Sequence, residues 1–200
     1  GLRLPPKVAP IQVVIIPISK NQNDKNKIES YLESSIKALK SSGTRVHIDW
    51  TNNTPGFKFN EWEMKGVPLR IEVGPRDIKN DQVVIARRDL GGKIFLSKKD
   101  ILKTVPKLLK TIQDNLFAQA KRFRDENTFS VSSYEEFCSI IEKGGFVRCG
   151  WNGSSKTELK IKENTKATIR CIPFNENPDG KNCILSGEPA KHEVIFAKAY

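Results

Sequence analysis

The sequence predicts an α/β fold, a mixed five-stranded sheet flanked by helices, followed by a small α+β domain. Three observations carry this expectation. The run Ile11-Gln12-Val13-Val14-Ile15-Ile16 is too continuously apolar for an edge strand and fits a buried central one. Segments then follow in the order helix, strand, short helix, strand, strand, short strand, helix, which specifies a mixed sheet with helices packed on it. Between Asp125 and Ser130 the composition turns polar, so residues 1–125 are assigned to a first domain, with 1–10 leading into it, and residues 126–200 to a second.

Pro5-Pro6 and Pro10 make a stiff, extended lead into the first strand. From Asn26 to Ser42 the apolar residues Ile28, Leu32, Ile36 and Leu39 recur at helical spacing, and Ser41-Ser42-Gly43 supplies the stop. Val46 to Asp49 reads as the next strand; His47 has no second His nearby and is read as structural. Pro55-Gly56 is a turn signal opening a short helix with Phe57, Phe59 and Trp62 on one side, and Gly66 ends it. Val67-Pro68 forces extension, and Leu69-Arg70-Ile71-Glu72-Val73 alternates apolar with charged side chains. Arg70 and Glu72 therefore share the open face of that strand. Gly74-Pro75 turns the chain, with Arg76 and Asp77 on the rim. Gln82 to Arg87 is read as pairing with the preceding strand, and Gly91-Gly92 closes a hairpin toward Lys93.

Ser97 is expected to cap a short helix over Lys98 to Lys103, and Pro106 to start a longer one with a stripe of Leu109, Ile112, Leu116, Ala120 and Phe123. Its other face is rich in Lys and Arg, a solvated surface or an RNA contact. In the second domain a helix over Tyr134 to Lys143 carries Phe137, Ile140 and Ile141, and Gly144-Gly145 ends it. Strands are read at Phe146 to Cys149, Ile169 to Phe174 and Val194 to Ala197, with a helix over Thr157 to Lys162.

Hydrophobic content of 38% with 28% charged residues over 200 positions describes a globular chain. A net charge of +11 points to a polyanionic partner, with an acidic membrane surface or acidic protein as the runners-up. The longest apolar run is too short to span a bilayer and no leader precedes it, so no membrane partner and a cytoplasmic location are expected. Cys138, Cys149, Cys171 and Cys183 are then expected as reduced thiols. A start at Gly1 reads as a piece of something longer. There is no phosphate-cradling glycine loop, no nucleophile beside a base and no paired His and carboxylate, so the segment is not expected to catalyse by itself.

Glu63, Arg70 and Arg76 converge on one patch in this reading, and the hairpin brings Lys93 near. Cations beside one carboxylate suit guanine, whose O6 and N7 accept hydrogen bonds from Arg or Lys while N1–H and N2–H2 donate to a carboxylate. A solvated charged strand face is the alternative.

The stretch TPGFKFNEWEMKGVPLRIEVGPRD, continued through VVIARRDLGGK, closely resembles the anticodon-binding domain of prolyl-tRNA synthetases of the eukaryotic and archaeal kind. GLRLPPKVAPIQVVIIPI resembles that family's crossing from catalytic core to anticodon domain, and TKATIRCIPF and VIFAKAY extend the similarity to the end of the chain. The resemblance implies the α/β fold above with a small zinc-binding-like domain after it. It implies recognition of the proline tRNA anticodon through Glu63, Arg70, Arg76 and Lys93, with Arg76 standing where some relatives have Lys. Phe57, Phe59 and Trp62 are left between core burial and stacking on splayed bases.

For the whole protein the resemblance implies a homodimeric class II ligase that joins proline to tRNA using ATP with Mg. The signature motifs of its core lie outside these residues. It also implies a structural zinc on two cysteine pairs, of which this chain keeps Cys149 and Cys183 while Ser154 and Ser186 replace the partners. A Ser hydroxyl does not replace a thiolate, so no zinc is expected. Tyr200 matches a terminal tyrosine that returns toward the catalytic centre. A stand-alone RNA-binding module, or the anticodon domain of a histidyl, threonyl or glycyl ligase, are the alternatives.

Overall fold

In the computed structural model, which describes residues 1–198, Val13–Pro17 forms β1 and is buried at all five positions. It lies between two parallel neighbours, β2 (Val46–Ile48) and β3 (Leu69–Val73). β4 (Gln82–Arg87) runs antiparallel to β3, and β5 (Lys93–Ser97) antiparallel to β4, giving the order β2-β1-β3-β4-β5. The continuous apolar run thus reports a strand covered on both faces.

On one face, Val13, Ile15, Leu69, Ile71, Val83 and Ile85 pack against two helices. Helix α1 (Gln22–Ser41) contributes Ile28, Leu32 and Leu39, and begins where the Asn21 side chain accepts the Asp24 amide at 2.9 Å. Helix α4 (Ile101–Glu126), entered through a 3-10 turn at Lys98–Asp100, contributes Ile101, Val105, Leu109 and Ile112. On the other face, Val14 and Ile16 lie under Trp62 and Val67, so the apolar cluster beneath α2 (Pro55–Met64) takes in β1 but no residue of β4 or β5.

Three expectations for this unit are corrected. The Gly74-Pro75 turn is the start of a short helix, α3 (Pro75–Lys79), because proline suits the first helical position and Asp77 Oδ2 accepts the Gly74 amide at 2.9 Å. The two helices expected on either side of Pro106 are one: the hydrogen bond that Pro106 forgoes is to Leu102, and both residues lie on the exposed side, where water substitutes. The stripe of α4 is core only as far as Leu116; Ala120 is exposed and Phe123 is 66% exposed. A helix of 26 residues is about 39 Å long, and strands of five or six span about 20 Å, so the helix outruns the sheet.

The chain divides into two compact units, Gly1–Gln119 and a second beginning at Ala120. The division falls inside α4; the boundary read from composition, between 125 and 126, falls at that helix's C-terminal end. The second unit is a four-stranded sheet, in the order β6 (Thr128–Ser130), β7 (Phe146–Trp151), β9 (His192–Lys198) and β8 (Ala167–Cys171), with two helices. The polar segment read as the domain boundary ends in a strand, β6, parallel to β7 at the sheet edge. Helix α5 (Tyr134–Lys143) stops at Gly144, which holds φ of 93°, the left-handed conformation glycine adopts freely. Helix α6 (Ser155–Thr165) is longer at both ends than its apolar positions indicated. Phe137, Ile141, Val147, Ile161, Val194 and Phe196 form the core.

The strand expected over Ile169 to Phe174 is β8 (Ala167–Cys171). Pro173 cannot donate to a ladder, and Phe174 beyond it is fully exposed. Cys171 is exposed, whereas Cys138 is half-buried and packs against this core. β9 (His192–Lys198) pairs antiparallel with both β7 and β8.

Candidate nucleic-acid interface

In the sheet register Arg70, Ala86 and Lys93 lie directly across from one another, as do Glu72, Val84 and Phe95 in the adjacent row. Residues opposite one another on paired strands share a face, so both rows belong to the side on which α2 covers β1. The middle strand contributes small side chains, and the charged ones stand on either side of it.

Glu72 is 3% exposed and accepts from two cations: Arg70 Nε at 3.1 Å and Lys93 Nζ at 2.6 Å. The expectation that Glu72 lies open on the strand face is corrected: Arg70 and Lys93 cover it. Arg70 also donates from Nη1 to Glu63 Oε1 at 2.8 Å, reaching from β3 to α2. Beneath these cations lies the half-buried ring of Phe59, with the Arg70 guanidinium carbon 4.2 Å and Lys93 Nζ 5.1 Å from its centroid. Arg70 is thereby fixed from three directions, and its side chain is 12% exposed. Glu63 retains 47% exposure and is the carboxylate of the group open to a ligand.

The structure therefore brings Glu63, Arg70 and Lys93 together. Arg76 is exposed on α3, and its side chain makes no ion pair or hydrogen bond among the described residues. A cleft of about 180 Å³ opens beside the Arg70–Glu63 pair, floored by Val14, Trp62 and Val67 and walled by Arg88. Arg88 Nε is buried with no hydrogen-bond partner among the described residues. The three aromatics of α2 divide: Trp62 is core, Phe59 supports the cations and Phe57 is 56% exposed.

Trp62 is held by a buried network that anchors α2. Its Nε1 donates to Asp49 Oδ2 at 2.8 Å, and Lys58, only 4% exposed, donates to the Asp49 carbonyl at 2.9 Å. Burial pushes the Asp49 pKa up, but hydrogen bonds from Thr51 and Trp62 and the charge of Lys58 outweigh it and leave Asp49 below the ordinary carboxylate value. His47, read as structural, lies against Trp62 with ring centroids 5.0 Å apart.

Sequence reasoning missed two residues of this surface. Glu72 was visible as a neighbour of Arg70 but not as its support. Phe95 is 70% exposed, and the alternation Lys93-Ile94-Phe95 already places it on the face of Lys93.

In the second unit, Cys149 and Cys183 are both buried, and Cys183 is close enough to affect the ionisation of Cys149. Burial, then the neighbouring Cys183, pushes the Cys149 thiol up to about 12. Burial raises Cys183 as well, but hydrogen bonds from the side chain and backbone of Ser186, with others from backbone groups, bring it below the ordinary thiol value. Gly150 lets the chain meet itself here, since a Cβ on it would collide with the Asn182 carbonyl. Ser186 accepts from Asn152 Nδ2 at 3.3 Å, and the Ser154 amide donates to Asn152 Oδ1 at 3.1 Å. Tyr200 lies outside the described residues. Among those residues no helix is long and apolar enough to cross a membrane.

Residues 12–108 match the family described as Anticodon binding domain, and residues 134–200 the family described as Prolyl-tRNA synthetase, C-terminal. The whole chain aligns with Proline–tRNA ligase, chloroplastic/mitochondrial, of Arabidopsis thaliana at 45% identity, covering 38% of that protein. It aligns likewise with the Proline–tRNA ligase of Porphyromonas gingivalis strain ATCC 33277 at 46% and of Christiangramia forsetii at 42%, covering 41% of each. The chain thus spans about two-fifths of the length of the curated relatives it matches. It belongs to the prolyl-tRNA synthetases as their C-terminal part, an anticodon-binding domain followed by the domain particular to that family's C-terminus.

Proposed function

We propose that this chain reads the anticodon of a proline-accepting tRNA, for a ligase that joins proline to that tRNA. The observation that supports this most directly is the Glu63–Arg70–Glu72–Lys93 arrangement, two cations aimed by a buried carboxylate beside a second, open one. The cations match guanine O6 and N7, and Glu63 matches N1–H and N2–H2. In the free chain Glu63 and Arg70 satisfy each other; guanine takes the place of that contact, each residue exchanging one charged partner for a base edge. Arg76 lies outside the cluster and serves as a further cation for the RNA.

In the same reading, the portion of the ligase beyond this chain binds proline and ATP with Mg and forms the homodimer. The protein acts in the cytoplasm and shares the eukaryotic and archaeal arrangement that its motifs resemble, an arrangement to which the bacterial and plant relatives named above also align over the whole chain. No zinc is held: Cys149, Cys183, Ser154 and Ser186 offer two thiols and two neutral hydroxyls, a donor set that does not fit tetrahedral structural zinc.

The test is Arg70→Ala, measured against the proline tRNA and against the same tRNA with its anticodon guanines replaced. Affinity for the first should fall by about 1 to 3 kcal/mol and discrimination between the two should shrink. Equal losses for both would make Arg70 a phosphate contact and overturn the reading.

A further inference from the structure

We propose that Phe95 is a stacking platform for an unpaired nucleobase beside the guanine-reading cluster, an inference that rests on the anticodon reading above. Phe95 lies across from Val84 and two residues along β5 from Lys93, so it stands about 7 Å from Lys93 on the same face. In the paired row beyond Val84 is Glu72, the carboxylate that holds Lys93. The ring is therefore at the border of the cluster, and no remote part of the sheet is involved.

Val84 in the middle of this row is 8% exposed, whereas Phe95 is 70% exposed. The apolar cluster under α2 draws on β1, Val67 and Phe59 and does not reach β5, so Phe95 has no core to enter. An aromatic face left open on a strand, next to fixed cations, is the arrangement by which proteins hold single-stranded nucleic acid. Every base has a π-face, so stacking accepts any of them, and the adjacent cation attracts the backbone. The surroundings decide between RNA and a protein partner. Lys93 and Glu72 flank Phe95 on its own face, and Ile94, 44% exposed, projects from the opposite one, so there is no broad apolar patch of the kind a protein interface centres on.

The ring has no polar atom and cannot read the base it holds. Its effect is to splay the loop, keeping one base stacked so that the neighbouring guanines present their edges to Glu63 and Arg70. The chain's net charge of +11 supplies the attraction that brings the RNA to this face.

The test uses the 200-residue chain and an RNA hairpin whose loop carries two adjacent guanines, with 2-aminopurine placed in turn at each other loop position. At one position beside the guanines, binding should quench the fluorescence. Phe95→Ala and Phe95→Leu should abolish that quenching and weaken binding roughly 5- to 150-fold, while Phe95→Trp retains both. Unaltered affinity and quenching in Phe95→Ala, with Arg70→Ala still losing guanine discrimination, would overturn the stacking role alone. Failure of the unmutated chain to bind the hairpin, or an Arg70→Ala variant that still discriminates, would overturn the anticodon reading together with it.

Discussion

Lys93 Nζ reaches across β4 to the Glu72 carboxylate on β3, a 2.6 Å contact between residues that stand in different rows of the sheet. The same carboxylate takes Arg70 Nε, so one buried acid sets the position of two cations that the backbone alone would leave free to rotate. Glu72→Gln keeps the shape and removes the charge. We expect it to weaken binding of a guanine-bearing anticodon hairpin by roughly 1 to 2 kcal/mol and to reduce guanine discrimination. A variant that binds and discriminates as the unmutated chain does would show that the cations need no support.

Arg76 differs from Arg70 in that its side chain makes no ion pair or hydrogen bond among the described residues. A mobile guanidinium serves phosphate better than a base edge, since phosphate tolerates many approach angles. Arg76→Ala should therefore weaken cognate and anticodon-swapped hairpins equally and lower the salt dependence of log K by about one unit. Selective loss for the guanine-bearing hairpin would assign Arg76 to base reading.

Two buried carboxylates make the first unit sensitive to acid. Burial pushes the Asp89 pKa up too, and it ends below its ordinary value because Arg87 and Asn115 donate to it, at 2.7 and 2.6 Å. Asp49 is lowered in the same way. A carboxylate with a depressed folded pKa contributes stability that is complete above the unfolded value of about 3.9 and is lost as pH falls through the folded one. Protection of the β1 amides against hydrogen exchange should hold steady above about pH 5 and decline below about pH 4. Asp49→Asn should shrink that decline; an unchanged slope would rule out Asp49 as a source.

The thiol pair of the second unit lacks donors, not proximity. Ser186 already hydrogen-bonds the Cys183 sulfur. Ser154→Cys combined with Ser186→Cys should convert a chain that takes up well under one zinc into one that takes up a full equivalent, read by native mass spectrometry. Stoichiometric zinc in the unmutated chain would contradict the donor argument, and none in the double variant would show that the loops hold their side chains apart.

Much of the recognition surface was legible along the chain because a strand alternates. Leu69-Arg70-Ile71-Glu72-Val73 assigns Arg70 to an open face by spacing, and a hairpin closed at Gly91-Gly92 brings Lys93 opposite. The alternation says nothing about what lies over each position, so Glu72 was read as exposed and is among the best buried acids of the unit. The same limit applies to α2. Spacing places Phe57, Phe59 and Trp62 near one another, yet Trp62 is buried on the sheet and bonded to Asp49, Phe59 is half-buried at the edge of that cluster, and Phe57 is exposed.

Local chemistry likewise placed more breaks than the fold contains. Pro106 reads as a helix start, but one lost hydrogen bond on a solvated side does not end a helix whose Val105, Leu109 and Ile112 are buried on the other. The polar run before Ser130 reads as a domain boundary, and strand β6 forms there because β7 offers it a ladder.

By itself the sequence determined most of the elements, the faces of the strands and the family, since periodicity, proline and glycine act over a few residues and long motifs are specific. Tertiary structure alone decided which charged groups are held and which are free. That is a matter of burial and partners: Glu72 becomes a support because Arg70 and Lys93 close over it, and Phe95 stays open because the apolar cluster under α2 does not reach β5 on its face.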